Sequence, residues 1–491
     1  MKKYILGRIV KSLISIFVVV SLVIVMVYTL IPRENIFKND TSIQKMKGDQ
    51  KNSYMYQKWD ELGYLDYMSQ PDMCKVYAND VESCIKGNKS EIALAVEGAK
   101  DDGFKIKQYA TNKKYYAIHE YNVFELLGHF YSNVLTFDHP NKVVDDKNPD
   151  LERKYYVGKD HNGIPAVMCS GCESKYQLYF DSSFPFIHQN AIKLNFGTSY
   201  PTKMGVDTLD VIGGKQGSPV NQTVTFPTGV TQESPLLLHT CQYKPTQTLD
   251  KLDQQKFDDN YANCEMKMES PSMITTSYIF GISSLILAYV IAIPAGIGMA
   301  RKKGKFADKL GIVYINLLSS VPSLAFIFVV KQIGQGFGFP DKFPQLGFSD
   351  VKSYILPIII LGLLSTTGLM MWMRRYMIDQ SNADYVKFAR AKGLSEKEIF
   401  NKHILKNAII PIVNGIPASI ILCISGSVIT ESVFAIPGMG KMLPDSINLL
   451  NNNMVITLTF VYTSLSVFSV LAGDLLMTWV DPRIKLTEKG D

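Results

Sequence analysis

Uncharged apolar runs alternate with polar stretches very unevenly along the 491 residues. Leu13 to Ile31 carries no charged side chain, and five further runs lie in the last 220 residues: about Met273 to Ala300, Leu310 to Val330, Tyr354 to Met373, Ile409 to Thr430 and Val455 to Val480. A helix rises about 1.5 Å per residue, so roughly 20 residues cross the ~30 Å hydrocarbon core of a bilayer. The pattern predicts six membrane helices. Between the first and second lies a polar block, 32–272, where aromatic-rich, turn-punctuated stretches such as 105–121 and 222–230 read as strands joined by loops. Helical pieces are expected around Met55 to Met68 and Val123 to Val134. The block is therefore expected to be a mixed α/β domain.

Charge then sets the orientation. The mean hydropathy of +0.04 resembles that of a soluble enzyme, but it averages two unlike parts. Arg33 to Glu269 holds 27 Lys+Arg against 32 Asp+Glu, while the remainder holds 24 against 13. This split excludes disorder throughout the chain and a nucleic-acid-binding module spread along it. With the N-terminus inside, the cytoplasmic stretches (the N-terminus, 301–309, 374–408 and 481–491) hold 20 Lys+Arg. The short outer loops 331–353 and 431–454 hold only Lys331, Lys342, Lys352 and Lys441. That is the positive-inside pattern, and it puts both termini in the cytoplasm and 32–272 outside the cell membrane. Lys2, Lys3, Arg8 and Lys11 resemble a signal-peptide start, but the long apolar run and the absence of a small-residue cleavage site indicate a retained anchor. The organisation expected is 1–31 start and first helix, 32–272 outer domain, 273–480 membrane core of helices two to six with the loop 374–408, and 481–491 tail.

Candidate chemistry in the outer domain is sparse. Six of seven cysteines lie there, Cys74, Cys84, Cys169, Cys172, Cys241 and Cys264, an even number on the oxidising side of a membrane. Fifteen connectivities are open; proximity favours Cys74 with Cys84, Cys169 with Cys172 and Cys241 with Cys264. Cys169-Ser170-Gly171-Cys172 has no second C-x-x-C and no histidine at ligand spacing, so no metal site is expected. His119, His129, His139, His161, His188 and His239 are scattered, and no G-x-S-x-G or H-E-x-x-H is present. Cys423, inside a membrane run, reads as a small core residue. Prolines 294, 322, 357, 411 and 417 fall in or at the ends of the runs, with glycines 296, 298, 362, 368, 415 and 426. They read as kinks and close helix packing, or as helices lining a path that opens.

The loop 374–408 carries the most specific local pattern. Ser381 with Asp384 can start one short helix, Gly393 supplies the positive φ that ends it, and Ser395 with Glu398 forms a capping box for a second. The segment Ala389-Arg390-Ala391-Lys392-Gly393-Leu394-Ser395, followed by His403, Asn407-Ala408 and Pro411, resembles the EAA-type coupling loop of ABC importer permeases of the oligopeptide/dipeptide/nickel branch. Lys387-Phe388-Ala389 stands where the general motif has Glu-Ala-Ala. Further matches are Thr430-Glu431-Ser432-Val433-Phe434 with Pro437-Gly438-Met439-Gly440, Asp481-Pro482-Arg483, and Asn195-Phe196-Gly197-Thr198-Ser199-Tyr200. The resemblance covers the first helix and nearly all of 273–486, and is nearest to the B-type permeases of Gram-positive Ami/Opp oligopeptide systems. Their outer loop is ordinarily shorter, so much of 68–175 and 214–270 looks inserted.

The resemblance implies a type I ABC importer permease fold and a subunit without enzymatic activity. No G-x-x-x-x-G-K-[ST] occurs in the chain, so ATP and Mg would be bound by separate subunits. Implied partners are a second homologous permease, two ATP-binding cassette subunits, a lipid-anchored peptide-binding protein and the peptide itself. The coupling residues would be Asp384, Lys387, Ala389, Arg390, Lys392, Gly393, Ser395 and Glu398, with Lys387, Arg390 and Lys392 open to pairing with acids on the ATPases. Glu431, Pro437, Gly438 and Gly440 would shape the loop at the pathway exit. Asp474 is costly within a span, and its nearness to the cytoplasmic interface favours a cap or an ion pair. The competing functions are a peptide-responsive membrane receptor, for which no kinase or response module is present, and a membrane-anchored exoenzyme, for which no catalytic set is present.

Overall fold

The computed structural model describes residues 2–160, 163–181, 186–426 and 428–480. His161, Asp481-Pro482-Arg483 and the tail 481–491 lie outside the described residues. The chain folds as two compact units. One comprises the chain up to Ile24, Ser272–Leu449 and the part from Met454 on; the other comprises Val25–Pro271 and Leu450–Asn453.

The first unit is helical. Among the described residues, five helices are long and apolar enough to cross a membrane: Tyr4–Leu30, Met273–Arg301, Lys352–Ser381, Ile410–Phe434 and Asn452–Val480. The run expected as one helix over Leu310 to Val330 is instead two, Phe306–Ser320 and Ser323–Gly336, bent by 104°. The cause is local. Pro322 has no N–H to continue the ladder and forces its predecessor out of the helical region, and Val321 sits at φ −80°, ψ 128°. Met273–Arg301 and Lys352–Ser381 pack closely through residues without bulk. A Cβ on Gly296 would lie 2.9 Å from Met373 Cβ, and one on Gly362 would lie 2.8 Å from Leu287 Cδ2.

The second unit is mixed α/β. A three-stranded antiparallel sheet orders Leu65–Ser69, Tyr115–Glu120 and Lys105–Gln108, and a four-stranded one orders Lys154–Lys159, Pro165–Ser170, Tyr176–Phe180 and Ile187–Gln189. Among the described residues two strand pairs, Leu135–Phe137 with Ile192–Leu194 and Gln222–Thr225 with Thr231–Ser234, complete the strands. The helix expected over Met55 to Met68 ends early: Gly48–Glu61 is helical, Gly63 turns the chain at φ +76°, and Leu65–Ser69 is a strand that buries Leu65 and Tyr67. Alternate positions on one face match the strand period of two, which outweighs the helical pattern. Val123–Asn133 is a helix whose Asn122 and Glu125 make a full capping box. Disulfides join Cys74–Cys84, Cys169–Cys172 and Cys241–Cys264. An aromatic core gathers Phe37, Trp59, Tyr64, Tyr67, Tyr109, Tyr116 and Tyr200 around the buried Asp40, whose carboxylate accepts from Tyr54 (2.8 Å), Tyr200 (2.5 Å) and Ser42 N (2.8 Å).

Candidate functional site

The loop after Lys352–Ser381 folds as a helix, a turn and a second helical stretch. The first helix, Asp384–Ala391, opens on Ala383 with no side-chain cap. Ser381 does not start it: Ser381 is the last residue of the preceding helix, and its hydroxyl donates to Ile378 O at 2.7 Å. That back-bond is an ordinary alternative for a serine at a helix end. The helix stops at Gly393, φ +80°, with Gly393 N bonded to Arg390 O (2.9 Å) and Leu394 N to Ala389 O (3.3 Å). This is a Schellman closure, which requires the left-handed conformation that glycine adopts freely. Ser395 then caps the next stretch by accepting from Glu398 N at 3.3 Å. Helical backbone continues through a wider π-type turn, Ile399–Ile404, to Ala408.

One face of this element is buried. Val386, Ala389, Ile399, Ile404 and Ala408 pack with Met373 and Met377, so Ala389 is a core residue and not a surface contact. The other face is charged and internally paired: Lys387 with Asp384 (2.8 Å), Arg390 with Glu396 (2.7 Å), and Lys402 with Glu398 (3.4 Å). Lys387 and Arg390 hold the Asp384 and Glu396 carboxyls below their ordinary range. Among the described residues Lys392 has no acidic partner. Amid these charges stands Phe388, 69% exposed, which sequence reasoning passed over. Its signal was an aromatic ring one position outside the buried stripe of a helix whose neighbours are charged.

A second cluster surrounds Glu431, which is fully buried. Its carboxyl accepts from Ser277 Oγ (2.7 Å) and Lys441 N (3.0 Å), while its backbone carbonyl accepts from Ile436 N (2.8 Å). Ser277 Oγ in turn accepts from Met439 N at 2.8 Å, and Tyr462 OH donates to Met439 O at 2.9 Å. The turn Ala435 to Lys441, including Pro437, thus folds around one carboxyl group. A Cβ on Gly438 would lie 2.4 Å from Glu431 Oε1 and one on Gly440 2.9 Å from Oε2, so neither position has room for a side chain. Glu431 is thus an interior residue that holds the turn and not a surface one.

Asp474 pairs with Arg8 (2.7 Å) and accepts from Tyr4 OH (3.1 Å), an ion pair between the first and last membrane helices that offsets the cost of an acid at that depth. Sequence reasoning missed Asp308, 2% exposed, which takes Arg374 in a two-pronged bond (2.6 and 2.9 Å) and accepts from Gly304 N (2.8 Å). This pair joins the short basic loop 301–305 to the end of the helix that leads into 374–408. No group of three or more His, Cys, Asp or Glu among the described residues is placed to hold a metal ion.

A helical membrane unit of this make, with a helix-turn-helix on its basic loop and a turn folded around a buried glutamate, fits a transporter permease. Residues 292–486 match the family described as the binding-protein-dependent transport system inner membrane component. The chain is 43% identical over 497 residues, all of both proteins, to the oligopeptide transport system permease protein AmiC of Streptococcus pneumoniae serotype 4, and equally so to AmiC of strain R6. It is 34% identical over 214 residues to the dipeptide transport system permease protein DppB of Lactococcus lactis subsp. cremoris, covering 43% of this chain and 70% of that one. The chain belongs to this family: it is a membrane permease subunit of a peptide importer of the ABC class. Because the AmiC alignment runs end to end, the large polar block is shared with those relatives.

Proposed function

We propose that the chain forms one half of the translocation path of an ATP-driven oligopeptide importer. A second homologous permease supplies the other half, and two ATP-binding cassette subunits that bind ATP and Mg close beneath 374–408. In this reading the bent pair Phe306–Ser320 and Ser323–Gly336 makes a single crossing, which keeps 301–305 and 374–408 on one side with the other basic stretches. Both termini are then cytoplasmic and the polar block is extracellular.

The observation that carries the reading is the coupling element itself. Its apolar face is anchored in the membrane unit and its acids and bases are mostly paired with one another, so it can pass on a displacement as a rigid body. Phe388 and Lys392 remain free to meet an ATPase surface. On the outer side, Val157, Leu178, Phe180 and Ile187 leave an exposed apolar face on the four-stranded sheet, with Val157 78% exposed. An apolar patch of this kind supports docking of a peptide-loaded lipoprotein on the polar block.

Gly393→Val tests the coupling role. A β-branched residue at φ +80° is strained although the space is open, with no atom within 4 Å of a Cβ. The expected result is normal insertion and assembly with ATP hydrolysis no longer linked to peptide uptake. Uptake at the wild-type rate refutes it.

A further inference from the structure

Three consecutive asparagines lead into the last membrane helix, Asn451 just before it and Asn452 and Asn453 in its first turn, and all three are buried: Asn451 at 2%, Asn452 at 6% and Asn453 at 5% exposed. They belong to the polar unit and not to the membrane unit into which their helix continues. Each amide has its own receiver. Asn451 Nδ2 donates to Ser199 Oγ (2.8 Å) and Thr202 Oγ1 (3.1 Å), and its Oδ1 accepts from Tyr200 N (3.3 Å). Asn452 Nδ2 donates to Tyr64 OH. Asn453 Nδ2 donates to Thr198 O (3.1 Å), and its Oδ1 lies 2.9 Å from Tyr28 OH, near the end of the first membrane helix. Gly197 closes the socket: its φ is +83°, and a Cβ there would stand 2.6 Å from Asn453 Nδ2. The segment Gly197 to Tyr200, singled out in the sequence without a task, is thus the wall that receives the asparagines. Tyr200 is itself held by Asp40 in the aromatic core.

We propose that this socket is a transmission clasp, in which Asn451, Asn452 and Asn453 act as positioning residues that carry the state of the polar unit into the last membrane helix. The inference rests on the importer reading and deepens it by naming how arrival of a loaded binding protein outside reaches the pathway. Apolar capture would resist withdrawal but tolerate rotation. Successive residues of a helix point about 100° apart, so the bonds from Asn452 and Asn453 leave its first turn in different directions while Asn451, just before the helix, fixes the entering chain, and rotation of the helix breaks at least one of them. Hydrogen bonds of buried amides are costly to break, which suits a joint that must transmit rather than absorb movement. Leu450 at φ +59° enters the clasp in a conformation that a non-glycine residue adopts only when its surroundings impose it.

The test uses the whole transporter in nanodiscs, with Asn451→Ala and, as a milder change, Tyr64→Phe, which removes only the receiver of Asn452. Four quantities are read: assembled complex, basal ATPase rate, affinity for the binding protein, and stimulation of the ATPase by peptide-loaded binding protein. The expected result is that the first three stay near wild type while stimulation falls about tenfold in Asn451→Ala, the size of an ordinary coupling free energy, and less in Tyr64→Phe. Unchanged stimulation in both variants overturns the proposal. So does loss of assembly or docking in step with stimulation in Tyr64→Phe, which would mark the asparagines as a structural staple only. If loaded binding protein fails to stimulate the wild-type complex, the importer reading falls, and the clasp with it.

Discussion

Gly438→Ala is the smallest change that probes the turn around Glu431. The added carbon would fall 2.4 Å from Glu431 Cδ and Oε1 and 2.6 Å from Oε2, whereas unbonded carbons rest about 3.5–4 Å apart. On a protein surface the tip of a glutamate would swing aside at little cost. Here the side chain is fully buried, and moving it surrenders the bonds from Ser277 Oγ and Lys441 N. Each buried group left unsatisfied costs about 1–3 kcal/mol, so losing both costs roughly 2–6 kcal/mol. Gly393→Ala provides the scale. No atom lies within 4 Å of that Cβ, and only the left-handed backbone conformation opposes it, at about 1–2 kcal/mol. Gly438→Ala should therefore be the more damaging of the two, although both add one methyl group. The assay is the temperature at which the detergent-solubilised chain loses its monodisperse elution peak, together with peptide uptake in cells. Glu431→Ala supplies the control, because deleting the carboxyl group removes the clash and Gly438→Ala should then cost little more. A Gly438→Ala protein as stable and active as wild type, or an undiminished penalty in the Glu431→Ala background, refutes the reasoning.

Two further outcomes are expected. Mass spectrometry of non-reduced protein should find the six outer cysteines oxidised, and removing Cys241–Cys264, which closes the longest loop with a sequence separation of 23, should destabilise the polar unit by about 2–5 kcal/mol; six thiols labelled without reductant contradict this. Burial alone would raise the Asp40 carboxyl, but bonds from Tyr200, Tyr54 and Ser42 outweigh it and hold Asp40 below the ordinary range. A lowered folded pKa contributes stability that is present above the unfolded value, about 3.9, and is lost as pH falls through the folded value, so protease resistance of the polar unit should decline below about pH 4. Tyr200→Phe should flatten that decline, and an unchanged acid profile contradicts the assignment.

Local composition was enough for much of this protein. The apolar runs, the basic bias of alternate loops, the polar block between the first two runs, and the stop at Gly393 are each legible within a few residues, because membrane length, charge placement and left-handed backbone are local constraints. The cysteine pairs drawn in the structure are also neighbours in sequence. What the sequence left open depended on residues far apart in the chain or on angles between elements. The presence of Pro322 foretold a kink but not its size, a turn of 104° that makes two helices of one apolar run. Lys387 and Arg390, open to a partner in the sequence, turn to acids of their own loop: Lys387 to Asp384 in the same helix, and Arg390 to Glu396 once the turn at Gly393 brings it back. Glu431 could equally have faced water until Ser277, 154 residues earlier, was placed against it. Nothing local gives a role to the three asparagines in a row. Only folding sets them against Thr198, Ser199 and Tyr200, about 250 positions away, because a buried amide must find its hydrogen bonds wherever the chain supplies them.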